Sequence, residues 1–186
     1  MKRFLDGRVY LLSDGHVGLA PLVLQVFHNN YTEGIRRAAF YYERGRFYLA
    51  LEEGETLHRI QVGFGRAAVS EVLLRGEPYL LGTTGEFTRD EDGRTVLKVD
   101  MAFLEEAVRR RLKCVFDEKG ETIEMRWDEL PGSRMITEGL GALLGDSLRP
   151  GIMEALKEWT GADLPAILVE RTVRPVAAGV LARDDS

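Results

Sequence analysis

Hydrophobic and polar residues alternate with a period of two along much of the first 132 residues. The clearest case is Thr122–Glu129, where Ile123, Met125 and Trp127 alternate with charged residues. A period of two places successive side chains on opposite faces of an extended chain, which is typical of a strand with one buried face. The pattern therefore predicts β-strands that share a common interior.

Short polar turns that contain glycine separate these apolar runs. Five such turns occur at Arg44-Gly45, Glu53-Gly54, Arg75-Gly76, Asp92-Gly93 and Lys119-Gly120. Glycine reaches positive φ without a Cβ clash, which a tight hairpin requires. Because consecutive strands joined by short turns pair antiparallel, we predict a mainly β protein. Its antiparallel meander spans Arg36–Asp128 and closes into a barrel or forms a strongly curved sheet.

The segment Met101–Leu112 fits two kinds of element. Helix-forming residues are frequent in it, and its apolar positions recur at helical spacing. Yet an alternating pattern enters it from Leu97 and continues beyond it to Phe116. We favour two strands joined through Glu105–Val108, because they keep the meander continuous.

The chain on either side of the meander has different patterns. After Pro131-Gly132, apolar residues recur at three and four positions, which predicts amphipathic helices. The predicted flanking elements are strands at Arg8–Leu12 and Leu22–His28, helices at Met135–Leu144 and Pro150–Gly161, and a strand at Ala166–Val173. No linker divides the 186 residues, so we predict a single domain in which residues 133–186 pack on the sheet formed by residues 1–132.

Composition narrows the class of protein. The chain has 45% hydrophobic residues, 30% charged residues and a net charge of −5, which is typical of a soluble globular protein. Its one basic run, Arg109–Lys113, follows two glutamates, and solvated ion pairs explain that run better than a nucleic-acid-binding face. The most apolar window, Val17–Phe27, is too short to cross a bilayer. The single cysteine, Cys114, reads as a small buried hydrophobe. We expect a cytoplasmic protein that binds neither nucleic acid nor membrane, and its oligomeric state stays open.

No local motif of a known catalytic chemistry occurs in the sequence. It contains no G-x-S-x-G, S-x-x-K or H-E-x-x-H motif, no P-loop and no Rossmann fingerprint. We therefore predict no catalytic residue and no cofactor, and we favour a non-catalytic function over an enzymatic one.

Two groups of residues are candidates for a site. Asp14, His16 and His28 are polar residues that would hold a metal ion or pair as base and orienting group, although a turn with a surface histidine explains them better. The second group would line an internal pocket for an apolar ligand, unless it only packs the core. Its members are Tyr41, Phe47, Tyr48, His58 and Phe64.

Several segments resemble a known family. They are N-N-Y-T-E-G-I at Asn29–Ile35, F-Y-Y-E-R-G-R-F-Y-L at Phe40–Leu49, Asp90–Glu105, and E-L-P-G at Glu129–Gly132. These segments are similar to the β-rich C-terminal accessory domain of bacterial serine β-lactamase-like hydrolases. In that family the S-x-x-K nucleophile lies in an upstream domain, so no catalytic residue is carried over. The resemblance implies a lipocalin-like antiparallel barrel that serves as an accessory or interaction domain.

These observations together predict a non-catalytic, barrel-like binding or accessory domain. Its expected partner is a small apolar ligand or another protein. The alternative is a metal-assisted or serine β-lactamase-related hydrolase.

Overall fold

The computed structural model describes residues 2–13, 17–21, 24–25, 32–130 and 175–182. These residues form a short 3-10 helix, Lys2–Leu5, and ten β-strands. The strands are β1 (Arg8–Leu12), β2 (Ile35–Glu43), β3 (Arg46–Glu53), β4 (Thr56–Val62), β5 (Ala68–Leu74), β6 (Glu77–Arg89), β7 (Thr95–Phe103), β8 (Val108–Phe116), β9 (Thr122–Leu130) and β10 (Val176–Leu181). Within these ranges, no helix is long and apolar enough to cross a membrane.

All ten strands belong to one antiparallel sheet with the order β4-β3-β2-β1-β10-β9-β8-β7-β6-β5. Neighbouring strands are consecutive along the chain, except β1 and β10, which pair through Leu11 and Val180 although they lie far apart in the sequence. The sheet curves until its two edge strands, β4 and β5, meet. The predicted antiparallel meander is therefore confirmed as a nearly closed, barrel-like sheet.

The line along which β4 and β5 meet is called the seam. Among the described strands, β4 pairs with β3 alone and β5 pairs with β6 alone. A few hydrogen bonds hold one end of the seam. Gln61 N donates to Ser70 Oγ at 2.8 Å, Thr83 Oγ1 donates to Gln61 O, and Gly85 N donates to Gly63 O at 2.7 Å. Toward Thr56, at the other end of the seam, no hydrogen bond between β4 and β5 is found among the described residues.

The five predicted glycine turns join the strands as expected. Arg44 and Gly45, between β2 and β3, have φ angles of 49° and 78°. Arg75 and Gly76, between β5 and β6, have φ angles of 49° and 86°. Positive φ at both central residues is the geometry of a type I′ turn, whose twist matches that of the flanking strands. The local turn chemistry thus fixes the order of neighbouring strands.

Inward side chains fill the barrel with an apolar core. Phe40 is fully buried, and its ring centroid lies 5.9 Å from that of Tyr10, 6.3 Å from that of Phe47 and 5.5 Å from that of Phe116. Cys114 is also buried, and burial raises the pKa of its thiol. Its predicted role as a small buried hydrophobe is confirmed.

One predicted strand is wrong in the residues that the structure describes. Leu24 and Gln25, inside the predicted strand Leu22–His28, are helical, and Gln25 N donates to Pro21 O at 3.0 Å. Proline suits a first helical turn because it has no N–H to satisfy. A short apolar run does not distinguish a buried strand from a buried helical turn by its period.

The remaining predictions are either confirmed or concern residues that the structure does not describe. Met101–Leu112 contributes to two strands, β7 and β8, as favoured. The predicted helices at Met135–Leu144 and Pro150–Gly161 and the predicted strand at Ala166–Val173 lie outside the described residues. Strand β10 was not predicted.

Candidate functional site

Part of the connection between β1 and β2 covers one end of the barrel. Its described residues, 17–21, 24–25 and 32–34, are called the cap. Val17, Leu19 and Leu24 are buried. Gln25 connects two parts of the cap through hydrogen bonds of its side chain. The Gln25 side chain donates from Nε2 to Ala20 O at 2.8 Å and accepts at Oε1 from Thr32 N at 3.1 Å. The cap therefore seals this end of the interior with apolar side chains held by polar contacts.

Arg110 of β8 reaches the cap from inside the barrel. It occupies an inward position between Val108 and Leu112, and only 2% of it is exposed. Its Nη1 donates to Gly18 O and, at 2.8 Å, to Ala20 O. A guanidinium presents five donors and no acceptor, so it suits the task of holding carbonyl groups of the cap.

Two residues of β9 lie beside Arg110. Its Nη2 is 3.5 Å from Oε1 of Glu129, and its guanidinium carbon is 4.6 Å from the ring centroid of Trp127. Burial lowers the pKa of Arg110, while the charges of Glu129 and Glu53 act in the opposite direction. Because arginine is not deprotonated in proteins, the interior holds a permanent positive charge.

Glu53, the last residue of β3, also binds the cap, through its carboxylate. Its Oε2 accepts from Leu19 N at 2.8 Å, and its Oε1 accepts from Thr32 Oγ1. His58 of β4 is buried, and its Nε2 lies 3.5 Å from Glu53 Oε2. Arg110, Trp127, Glu129, Glu53 and His58 are together called the polar cluster.

Three buried polar atoms of this cluster have no hydrogen-bond partner among the described residues. They are Nε of Arg110, Nε1 of Trp127 and Nδ1 of His58. An unsatisfied buried donor costs about 1–3 kcal/mol, and such groups are rare in native proteins. Two of the three atoms are N–H donors, so the arrangement is suited to a group that accepts hydrogen bonds.

A small pocket opens from the seam toward the polar cluster. Its volume is about 30 Å³, and His58 and Glu53 line it together with Thr56 of β4 and Leu73 and Leu74 of β5. At about 10–15 Å³ per water molecule, this space holds roughly two waters or one small functional group. The pocket thus joins polar side chains of the interior to the open end of the seam.

The predicted aromatic site is only partly brought together. Phe47 and Phe64 contact each other inside the barrel at a centroid distance of 5.6 Å, whereas His58 belongs to the polar cluster. Tyr41 and Tyr48 stack on each other at 5.4 Å, on the face opposite the buried Phe40 and Phe47, and ligand binding by the predicted group stays a prediction. Their positions alternate with inward residues along β2 and β3, and the sequence alone did not fix which set faces inward.

The structure does not test the predicted metal cluster. Asp14, His16 and His28 are outside the described residues. Within the described ranges, no group of three or more His, Cys, Asp or Glu side chains is placed to bind a metal ion. The alternative of a metal-assisted or serine β-lactamase-related hydrolase stays a prediction.

Sequence reasoning missed the charged members of the polar cluster. The prediction that the basic run Arg109–Lys113 is solvated holds for Arg111, an exposed residue whose Nε donates to Asp100 Oδ1 at 2.8 Å. It fails for Arg110. The available signal was the alternation along β8, which places Arg110 on the same face as Val108 and Leu112.

The charge of Glu53 is expected to make stability depend on acid pH. Burial on its own raises the pKa of Glu53, but the hydrogen bonds that its carboxylate receives, from His58 first, lower it below 4.5. A lowered folded-state pKa stabilises the protein above pH 4.5, and this stabilisation is lost as the pH falls through the folded-state value. We expect Glu53→Gln to cost about 1–3 kcal/mol at pH 7 and progressively less below pH 4.5.

Urea unfolding between pH 7 and pH 3 measures this difference. Glu52→Gln is the matched control, because the Glu52 side chain is 41% exposed and pairs with Arg37 at the surface. Parallel acid profiles for wild type and Glu53→Gln would contradict the assignment.

Comparison with known proteins adds no family to this description. No model of a known protein family matches the chain, and no curated protein is significantly similar to it.

Proposed function

We propose that this protein is a non-catalytic binding protein whose barrel-like sheet binds a small, mainly apolar ligand with a hydrogen-bond-accepting group. The observation that carries the proposal is a pair of buried N–H groups that have no partner in the part of the chain that the structure describes, Nε of Arg110 and Nε1 of Trp127. Each of these donors needs an acceptor, and the two side chains are in contact, with the Arg110 guanidinium carbon 4.6 Å from the Trp127 ring centroid. A ligand with a carboxylate, ester or hydroxyl group supplies such an acceptor.

The surroundings of these donors favour an apolar ligand body. Apart from the polar cluster, the side chains that fill the barrel are almost all hydrophobic. Binding sites for small molecules commonly combine apolar walls with a few placed polar groups. The seam pocket, with Leu73 and Leu74 at its rim, extends from solvent to His58 and Glu53 of the polar cluster.

Nuclear magnetic resonance tests the proposal at the two donors themselves. In a ¹⁵N-labelled Trp159→Phe variant, Trp127 supplies the single indole N–H signal, because the chain has two tryptophans. Sodium octanoate and octan-1-ol are the probes, titrated separately. We expect saturable shifts of the Trp127 Nε1–H and Arg110 Nε–H signals with at least one probe.

A matched pair of variants shows whether the shifts come from the polar cluster. Arg110→Lys keeps the charge but removes the Nε donor, and we expect it to weaken probe binding at least tenfold. Arg111→Lys makes the same change at an exposed neighbour and should bind as the wild type does. If neither probe shifts either signal, and both donors instead show contacts to slowly exchanging water, the unpartnered atoms are hydrated and the ligand proposal is wrong.

A protein partner is the second candidate, in line with the resemblance to an accessory domain, which stays a prediction. Its support is the exposure of apolar side chains on the outer surface, where Leu57 is 64% exposed and Val69 is 57% exposed. Exposed apolar patches mark interaction surfaces more often than isolated exposed residues do.

A further inference from the structure

The open end of the seam exposes main-chain groups of β4. Gln61 directs both its N–H and its C=O across the seam, toward Ser70 and Thr83. Because main-chain direction alternates along a strand, Arg59 and Leu57 direct their N–H and C=O groups the same way. Among the described strands, β4 has no ladder partner on that side. The edge of β4 therefore offers a row of donors and acceptors that match another extended backbone.

Apolar side chains flank this edge on the outer surface. Leu57 of β4 lies on one side of the seam, and Leu73 and Val69 of β5 lie on the other, with exposed fractions of 64%, 46% and 57%. Leu80 of β6 and Leu104 extend the patch, because Leu104 N donates to Leu80 O at 2.9 Å. A strand bound at the edge would place every second side chain against these residues.

Charges around the patch indicate which strand fits. Glu71, Glu77 and Glu106 are exposed beside the patch on the β5, β6 and β7 side, where Arg75 of the turn between β5 and β6 is also exposed, so three carboxylates there outnumber this arginine. The nearest exposed cation of β4, Arg59, pairs with Glu43 and lies over the Tyr48 ring at 4.3 Å, so its charge is already partnered. The rim is consequently acidic, and it favours a segment that carries lysine or arginine next to its apolar residues.

We infer that the open end of the seam binds an extended segment of another protein, which adds a strand to the edge of β4. The segment has apolar residues at alternate positions and basic residues beside them. A strand between β4 and β5 needs about 9–10 Å between them, or two strand spacings. To admit the bound strand, β4 and β5 have to move apart at this end, while the bonds of Gln61 and Gly63 hold the other end.

The inference makes the second candidate function specific and does not depend on an interior ligand. The probe is a displayed library of random ten-residue peptides, selected against the wild-type chain. We expect enrichment of peptides with alternating apolar residues and flanking lysine or arginine. Enriched peptides are then measured as synthetic peptides by fluorescence anisotropy.

Two substitutions at one position isolate the main-chain contact. Arg59→Pro removes the edge N–H, and Arg59→Ala removes the same side chain but keeps the N–H. We expect Arg59→Pro to bind at least tenfold more weakly than Arg59→Ala. Thermal unfolding of both variants checks that the sheet is intact. Should Arg59→Pro fail to fold, Leu57→Asp replaces it, since that exposed side chain leaves the core untouched and should also lose at least tenfold in binding.

Three results would overturn the inference. One is the absence of any enriched peptide. Another is equal binding of the enriched peptides by the folded Arg59→Pro and Arg59→Ala variants, or by Leu57→Asp and the wild type where Arg59→Pro does not fold. The third is a wild-type dimer that Arg59→Pro or Leu57→Asp converts to a monomer, because the edge would then be occupied by a second copy of this chain. The Trp127 and Arg110 signals report the interior separately, so failure of one proposal is distinguishable from failure of the other.

Discussion

Replacing Arg110 by methionine is expected to destabilise the folded protein by about 3–5 kcal/mol. The substitution leaves the Glu129 carboxylate buried without the charge that lies 3.5 Å away. It also removes the donors that hold Gly18 O and Ala20 O, so the cap loses its attachment to β8. Urea unfolding followed by far-UV circular dichroism measures the loss.

Two further variants separate the buried charge from the change of side chain. Arg111→Met makes the same substitution at the next residue, which is exposed and pairs with Asp100, and should cost less than about 1 kcal/mol. The double variant Arg110→Met/Glu129→Leu removes both charges and should recover at least half of the loss, because paired hydrophobic replacements of buried ion pairs are often tolerated. If Arg110→Met is as stable as Arg111→Met, the ion pair does not hold this end of the barrel.

The strands between Ile35 and Leu130 were predictable because their signals are local. A type I′ turn needs positive φ at both central residues, and Arg44-Gly45 and Arg75-Gly76 supply the glycine at fixed positions between alternating runs. Consecutive strands then pair without information from elsewhere in the chain. Even Met101–Leu112, which has helical propensity, becomes two strands because each side pairs with a neighbouring strand.

The closure of the sheet was not predictable by the same reasoning. Strand β10 has the sequence V-A-A-G-V-L, whose alanines and glycine are weak strand formers. It forms because β1 and β9 pair with it on both sides, and β1 lies at the opposite end of the chain. Pairing over such a sequence distance leaves no local pattern.

The candidate site shows the same division between local and long-range information. Alternation along β8 marks Arg110 as inward, and alternation along β9 does the same for Trp127 and Glu129. Which side chains meet Arg110 from across the barrel depends on the sheet order, since Glu53 and His58 lie on β3 and β4. The sequence therefore holds the signal for a buried charge but not for the composition of the cluster around it.

A second large loss of stability is expected when an inward-facing aromatic side chain of β2 is removed. Phe40→Ala is expected to cost about 3–5 kcal/mol, because it empties a fully buried site in contact with the rings of Tyr10, Phe47 and Phe116. Removal of buried atoms loses both their transfer free energy and the contacts that the surrounding side chains made with them. Guanidinium chloride unfolding measures the difference from the wild type.

Tyr41→Ala is the matched control, one residue further along β2. Tyr41 stacks on Tyr48 at the surface, and Arg59 lies 5.7 Å from its ring centroid, so we expect a loss of about 1 kcal/mol. The contrast between two adjacent aromatic residues tests the period-two alternation itself, because a shift of one residue in the strand would exchange their environments. Equal losses for the two variants would mean that β2 does not present a single face to the interior.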